Sequence, residues 1–351
     1  MLLSILTLSA IINSYGQNCE YLGPDQFLPC GVTSTTITAD FSQCSGSTVA
    51  PPKETTSYLV EQIPFAPHPN TGTQVFLGDD QNSGMLPIGF TFCFFGNTYN
   101  NFIISSNGWI GFSAPQPTTF TSAAIPSTAA NVPKNAIMGP WQDWHPGIGG
   151  QIRYQTQGTA PCRRLVVSYT NTPFFSCTST NGTFQIVLYE GTNIIENHIT
   201  NKPFCSWAGG TAVQGIHNIN GTQAFTVPGR NSQVWTTTNN AWRYTPNGAN
   251  VTPTLTWFQV GNPTPIATGV NSITVTPPAN GAYYTAVQAY SGCFANYAAC
   301  VGASGGGIPQ DTVFVMPNAN TAALFSINTS YCSGENIAPL PTTSNNNIAG
   351  T

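Results

Sequence analysis

Large apolar residues occupy every second position across residues 88–94, where isoleucine and phenylalanine alternate with glycine, threonine and cysteine. A period of two predicts a β-strand that buries one of its faces. Two further apolar runs, at residues 102–104 and 109–112, flank the dipeptide Asn107-Gly108. Because Asn-Gly between two such runs is the signal of a type I′ turn, this stretch predicts a β-hairpin.

Similar short runs recur along most of the chain, separated by turn residues roughly every 8–12 positions, as in β-sandwiches. No apolar stripe has helical spacing. The pattern therefore predicts an all-β protein, with an antiparallel β-sandwich over residues 80–248 and a smaller immunoglobulin-like sandwich over residues 251–316. The expected strands include residues 137–143, 151–155, 165–169, 184–189, 193–199, 213–217 and 241–244 in the first domain, and 255–258, 272–276, 282–289 and 312–315 in the second.

The segments on either side of these domains differ from them in pattern. Residues 18–79 are rich in Thr, Ser and Pro, with short strands expected at residues 36–41 and 57–60. Residues 317–351 contain two apolar runs, which are too few strands to close a sandwich. We expect the first segment to be a separate N-terminal region and the second to be the start of a truncated third module.

The N-terminus carries the pattern of an export signal. The apolar run from Leu2 to Ile12 has the length of a signal-peptide core, ~7–15 residues, and small residues follow it before Gln17. We therefore predict that residues 1–17 are a signal peptide and that the mature protein is secreted or held at the cell surface. The run is shorter than the ~20 residues that cross a bilayer, and we expect no transmembrane segment.

Composition narrows the class of protein further. Charged residues make up 6% of the 351 positions and the net charge is −4, whereas ordinary domains carry about 25% charged residues. A nucleic-acid partner is not expected, because it requires a basic surface. Aromatic residues make up 11% of the chain, which argues against a disordered chain. An uncharged, β-rich chain of this kind is typical of extracellular sandwiches.

The chain contains 10 cysteines, and none lies in a Cys-x-x-Cys pair or near a histidine at zinc-finger spacing. Disulfide bonds in an oxidising compartment are the expected outcome. From position along the chain we expect a local bond between Cys293 and Cys300. We also expect two bridges within the group Cys93, Cys162, Cys177 and Cys205.

Three motifs, taken in order, resemble the nidogen-type (NIDO-like) extracellular domain. They are the phenylalanine-rich run at residues 86–97, the Ser-Ser-Asn-Gly-Trp-Ile-Gly-Phe run at residues 105–112, and Trp141-Gln142-Asp143. Residues 161–168 and 241–248 are similar to large secreted surface proteins of Bacteroidota. That resemblance implies immunoglobulin-like or PKD-like modules after the NIDO-like domain, export by the type IX route, and a role in adhesion or gliding.

Asp79, Asp80 and Asn82 form the densest group of oxygen ligands in the sequence. Calcium is the candidate ion, because hard cations take six to eight oxygen ligands. The alternative is a solvated turn, since Asp and Asn are common turn formers. No other cofactor is expected.

Asp143 lies between two tryptophans, with a histidine after them. A carboxylate in this setting suits a sugar site or acid–base chemistry, and Glu190 or Glu196 could supply a second carboxylate through folding. The alternative is a structural hydrogen-bond acceptor at the end of a strand. Trp207 and Trp235 fall in polar, turn-like stretches and are candidates for stacking on sugars, whereas Trp242 and Trp257 fall in strand patterns and are expected in the core.

No sequence motif for nucleophilic catalysis or phosphate binding is present. The expected function is that of a non-catalytic secreted or cell-surface modular protein in adhesion, matrix or gliding. The alternative is a carbohydrate-binding or accessory region of a larger secreted hydrolase. The expected partners are extracellular or cell-surface glycans or proteins, or a second copy of the chain. Thr312 lies in Asp-Thr-Val, which resembles the O-glycosylation signal of Bacteroidota and makes this threonine the glycosylation candidate.

Overall fold

The computed structural model describes residues 21–29, 31–40, 52–252, 254–296 and 311–317. These residues form two compact units. The larger unit contains residues 52–252 and 292–296, and the smaller one contains residues 21–29, 31–40, 254–291 and 311–317. The predicted signal peptide and residues 318–351 of the predicted third module lie outside the described residues.

Strands dominate both units, as the sequence pattern predicts. In chain order they are β1 (Gln26–Phe27), β2 (Thr35–Thr38), β3 (Lys53–Glu54), β4 (Tyr58–Ile63), β5 (Thr73–Val75), β6 (Leu86–Phe94), β7 (Asn97–Ile104), β8 (Trp109–Gly111), β9 (Ala136–Trp141), β10 (Gln151–Gln157), β11 (Arg164–Pro173), β12 (Asn181–Tyr189), β13 (Ile195–Lys202), β14 (Thr211–His217), β15 (Ala224–Val234), β16 (Thr237–Pro246), β17 (Thr254–Gln259), β18 (Ala267–Thr268), β19 (Ser272–Val275), β20 (Ala282–Ala289), β21 (Phe294–Ala295) and β22 (Val313–Met316). Two short 3₁₀ turns, Pro146–Ile148 and Trp207–Gly210, complete the described elements. Neither turn has the length or apolar character that a membrane crossing requires, and the described part of the chain has no other helix.

The larger unit contains two antiparallel sheets that enclose its core. One has seven strands in the order β4-β16-β13-β12-β11-β10-β5, and the other has six in the order β15-β14-β9-β8-β7-β6. The predicted alternation in β6 is confirmed, because Ile88, Phe90, Phe92 and Phe94 are all buried in the main cluster. Facing residues of the other sheet complete this cluster, among them Leu165, Val167, Tyr169, Phe184, Ile186 and Leu188.

The predicted hairpin at Asn107-Gly108 is present, with β7 and β8 paired through Ile103 and Gly111. Gly108 has φ +80°, and an added Cβ would collide with the carbonyl oxygen of Pro140. Only glycine meets both conditions without strain. The turn therefore lies tightly against the end of β9, which is where Trp141 begins the motif that ends in Asp143.

A second cluster lies around Trp109 and Trp141, which are fully buried. Ile125 and Val132, from the long connection between β8 and β9, pack in the same cluster. Trp141 also donates its Nε1–H to the carbonyl oxygen of Thr119 over 3.0 Å. These contacts hold the connection against the sheet at several points. One of the points is Thr119, so the position of the adjacent Phe120 is also fixed.

The smaller unit has a five-stranded sheet, β1-β22-β20-β17-β18, and a two-stranded sheet, β19-β2. Its core surrounds Trp257, which is fully buried, as the sequence pattern predicts. Ile37 of β2 pairs with Ile273 of β19. Thr312 is exposed directly before β22; its glycosylation stays a prediction.

The structure distributes residues 18–79 differently from the expected N-terminal region. Strands β1 and β2 belong to the smaller unit, whereas β4 and β5 form the two edges of the seven-stranded sheet. β4 pairs with β16 and β5 with β10. The reason is that an edge strand is completed by a partner far along the chain, which local composition does not record.

Two disulfide bonds join described cysteines, Cys177 to Cys205 and Cys93 to Cys293. The first falls within the expected group of four. The expectation of a local Cys293–Cys300 bond is wrong, because β21 pairs with β3 and brings Cys293 to Cys93 at the end of β6. Cys162 is also disulfide-bonded, and the expected second bridge within the group is wrong because Cys93 pairs outside it.

Candidate functional site

Several loops of the larger unit converge at one end of its sandwich. Asp79 and Asp80 follow β5, Asp143 follows β9, Phe175 follows β11, and Trp207 begins the 3₁₀ turn before β14. The order of strands in the two sheets places these loop starts side by side. Asp79 and Asp80, predicted for calcium, thus lie at the same end of the unit as Asp143 and Trp207, which the sequence predicts for a sugar.

Asp79, Asp80 and Asp143, here called the carboxylate cluster, each offer an oxygen atom, and the three atoms lie within 4.8 Å of one another. Asn107 joins the cluster to the hairpin by donating its Nδ2–H to Oδ1 of Asp80 over 2.7 Å. The Oδ1 of Asn107 accepts the backbone N–H of Trp144 over 3.2 Å. One buried amide therefore fixes the turn before β6 against the segment that carries Asp143.

The electrostatics of the cluster are those of carboxylates held close together away from water. Burial is the main cause that raises the pKa of Asp143 to about 7, and the charges of Asp80 and Asp79 raise it further, against the opposite effect of the hydrogen bond from Trp207. Burial and the charge of Asp80 also raise the pKa of Asp79. Ionisation of Asp79 and Asp143 is therefore less favourable in the protein alone than in water, and a bound cation would reverse this.

Four buried side-chain oxygens, in the cluster and in residues next to it along the chain, have no hydrogen-bond donor among the described residues. These atoms are Oδ1 of Asp79, Oδ1 of Asn82, Oε1 of Gln142 and Oδ1 of Asp143. A buried acceptor without a partner costs free energy. Four such oxygens in segments that are close along the chain are therefore unsatisfied acceptors in the protein alone.

Three exposed rings, here called the aromatic patch, lie beside the cluster: Phe120, Phe175 and Trp207. The ring centroids of Phe175 and Trp207 are 5.4 Å apart, and those of Phe120 and Trp207 are 6.4 Å apart with nearly parallel planes. Trp207 is 40% exposed and donates its Nε1–H to Oδ2 of Asp143 over 2.6 Å. The patch is therefore exposed and fixed in orientation at the same time.

A cleft of about 340 Å³ adjoins this end of the unit. Its lining includes Phe76 and Gly78 on one side and Pro146 and Gly147 on the other. Gly78 immediately precedes Asp79, and Pro146 follows His145, whose ring lies 5.9 Å from that of Phe175. Open space is thus available beside the residue that immediately precedes the carboxylate cluster.

The structure does not place every predicted residue at this site. The prediction that Trp235 is an exposed stacking residue is wrong, because Trp235 is 9% exposed and donates its Nε1–H to the carbonyl oxygen of Ala212. Its ring lies against the cations of Lys202 and Arg230, at 4.7 Å and 4.5 Å. The indole N–H of Trp235 is therefore hydrogen-bonded and its ring is covered by the two cations, so neither is available to a sugar.

Trp242 is partly buried against the main core, as its strand pattern predicts.

Asn82, a predicted calcium ligand, donates its side-chain Nδ2–H to the carbonyl oxygens of Gln116 and Pro117. Its Oδ1 has no hydrogen-bond donor among the described residues and is the one side-chain atom of Asn82 that a cation could use.

Neither Glu190 nor Glu196 joins Asp143. Glu190 forms an ion pair with Arg163, and Glu196 binds His198 and Arg243. Hydrogen bonds to these groups occupy the carboxylate oxygens of both residues. They are structural acceptors in the β-sandwich, so no glycosidase pair forms with Asp143 among the described residues.

Sequence reasoning missed the network around Glu196, which also brings His68 and His198 together. Tyr189 donates its hydroxyl to Oε2 of Glu196 over 2.8 Å, and His198 Nε2 lies 2.9 Å from the same oxygen. Residues two apart in β13 point to the same face, which is the one signal that could have joined Glu196 to His198. Arg243 donates to Oε1 of Glu196. Both carboxylate oxygens are therefore hydrogen-bonded within the protein, and we interpret the network as a structural one.

The comparisons with known proteins give a family. A family model described as NIDO related matches residues 57–285. The comparison with curated proteins and the comparison with solved structures each found no match.

Proposed function

Because this chain belongs to the NIDO-related family, we propose that it is a non-catalytic extracellular adhesion protein that binds glycans at the aromatic patch. The family, the disulfide bonds and the absence of a membrane-spanning helix among the described residues are consistent with an extracellular location. The signal peptide that the sequence predicts at residues 1–17 would direct export. Modular surface proteins of Bacteroidota, which the sequence resembles, supply the biological setting.

The observation that carries the proposal is the fixed exposure of Trp207. Large rings that remain exposed and contiguous mark an interaction surface in a soluble protein. The apolar faces of Trp207, Phe175 and Phe120 suit the C–H face of a sugar ring. Asp79 and Asp80 supply the polar acceptors that glycan hydroxyls require. The cleft beside Gly78 provides open space near these two carboxylates.

A non-catalytic role is supported by the carboxylate spacing. One oxygen from each of the three carboxylates lies within 4.8 Å of the others, which is close enough for the three to share one cation. Oδ2 of Asp143 is also engaged by Trp207. The cluster therefore has the geometry of a binding group rather than of an acid and a base on either side of a bond.

The experiment is attachment of beads coated with the full chain to cells, before and after periodate oxidation of the cell-surface glycans. We expect wild-type beads to attach and periodate to abolish attachment. The Trp207→Ala variant should attach at least about tenfold less, since the loss of one central ring typically costs ~2 kcal/mol or more. Phe27→Ala, which removes an exposed ring from the smaller unit, is the matched control and should attach normally.

Two results would contradict the proposal. One is attachment that survives periodate, which would point to a protein ligand. The other is equal attachment of the Trp207→Ala beads and the wild-type beads. Hydrolysis of the captured glycan by the chain itself would contradict the non-catalytic part.

A further inference from the structure

We propose that the carboxylate cluster of Asp79, Asp80 and Asp143 binds a calcium ion, which also sets the position of Trp207. Calcium binding goes beyond the proposed glycan function and does not depend on it. The proposal rests on the spacing of the cluster, on the unpaired oxygens around it and on the hydrogen bond between Asp143 and Trp207.

Asp143 supplies the observation that distinguishes this cluster from an ordinary group of acidic surface residues. Its side chain is 4% exposed, yet its Oδ1 has no donor among the described residues. A buried carboxylate oxygen normally accepts at least one hydrogen bond. Coordination of a cation would satisfy this atom, and the partly exposed Asp79 and Asp80 leave a path for the ion to enter.

The donor set selects the kind of cation. The three residues offer only oxygen atoms, which suits hard cations better than zinc or copper, since those favour nitrogen and sulfur ligands. Ligand oxygens on opposite sides of Ca²⁺ lie up to ~5 Å apart, whereas those of Mg²⁺ lie ~4 Å apart. Separations of up to 4.8 Å can be spanned by Ca²⁺ without further closure of the cluster.

Further oxygens are available to complete the coordination. Oδ1 of Asn82 and Oε1 of Gln142 are buried and unpaired among the described residues. Both residues lie within three positions of a cluster residue in the chain. Calcium takes six to eight oxygens and accepts carbonyl oxygens and water as well as carboxylates, so these amide oxygens and water are the candidates for the remaining coordination positions.

The cation would also act on the aromatic patch. Asp143 uses Oδ2 for the indole of Trp207 and has Oδ1 free for the metal. Neutralisation of the cluster would remove the repulsion among its three carboxylates and hold Asp143 in place. Trp207 should therefore be more rigid with calcium than without it.

The test is a titration of the chelator-treated full chain with Ca²⁺ at neutral pH, by calorimetry and by the shift in melting temperature, with no glycan present. We expect one Ca²⁺ to bind per chain and to raise the melting temperature. Asp80→Asn and Asp143→Asn should each weaken the affinity more than about tenfold, because each removes one of the charged ligands. Glu61→Gln, a change on β4 outside the cluster, is the control and should bind as wild type does.

The Asp143→Asn variant also carries a readout that a purely structural role would not give. Without calcium it should melt no lower than wild type, because it removes a repelling charge and keeps an oxygen for Trp207. Absence of calcium binding, preference for Mg²⁺, or wild-type affinity in both variants would overturn the proposal. Since no glycan is present, these outcomes leave the adhesion function to its own test.

Discussion

Trp207 and Asp143 are 64 residues apart in the chain, and a hydrogen bond of 2.6 Å joins the indole Nε1 of the first to Oδ2 of the second. The bond connects an exposed ring to a buried carboxylate. Because the buried carboxylate of Asp143 is held in place, the hydrogen bond fixes the orientation of the exposed Trp207 ring. A ring held in this way loses little conformational freedom when a ligand binds, which favours affinity.

The Cys177–Cys205 bond joins the loop that carries Phe175 to the segment that carries Trp207. Replacement of both cysteines by alanine should lower the free energy of unfolding by ~3–4 kcal/mol, from the loop entropy released in the unfolded chain. It should also weaken glycan binding, because the two rings lose their shared anchor. Urea unfolding and a glycan titration measure the two effects. Full binding in a variant that is destabilised would show that the bond serves stability alone.

Gly108 is the position where the hairpin turn meets β9. Gly108→Ala should lower the free energy of unfolding by at least about 2 kcal/mol, because alanine is strained at positive φ and its Cβ meets the carbonyl oxygen of Pro140. Gly84→Ala is the control, since that glycine has open space around it. Equal melting temperatures for the two variants would contradict the described turn.

The network around Glu196 predicts a pH dependence. Burial alone would raise the pKa of Glu196, but hydrogen bonds from His198, Arg243 and Tyr189 outweigh it and lower the pKa to about 2. A carboxyl with a lowered pKa stabilises the fold fully above its unfolded value of 4.5, and this stabilisation is lost as the pH falls towards 2. The shift corresponds to roughly 3 kcal/mol.

Urea unfolding of wild type and Glu196→Gln across this acid range checks the prediction. Wild type should lose stability steeply, whereas the variant, which is less stable at neutral pH, should lose less. Glu54→Gln on β3, a glutamate outside this network that accepts from Thr56, should follow wild type. Parallel pH profiles for wild type and Glu196→Gln would show that other carboxyl groups control acid unfolding.

The strands with strong local patterns could be predicted from the sequence. Residues 88–94 alternate because one face of β6 meets the core, and β20 spans residues 282–289 as expected. The short strands β3 and β5 carry no such pattern. They exist because Lys53 pairs with Ala295 and Gln74 pairs with Arg153, and such long-range pairs leave no local signal.

The site could be predicted only in parts. Local chemistry pointed to Asp79 and Asp80 as oxygen ligands and to Trp207 as an exposed ring. The sequence did not indicate that Asp143 belongs with both, since that depends on how the strand ends meet. Trp235 misled for a related reason, because its sequence neighbours are exposed while its own ring is buried against the cations of Lys202 and Arg230.

The measurement that tests the central claim most directly is a glycan-array screen of the full chain, followed by affinity measurements on the best ligand for wild type, Trp207→Ala and Trp207→Phe. Wild type should bind, and Trp207→Ala should lose at least about tenfold in affinity. Trp207→Phe keeps an aromatic face but removes the donor to Asp143, so it should fall between the two. Absence of any glycan ligand, or one affinity shared by all three proteins, would contradict glycan adhesion through the aromatic patch.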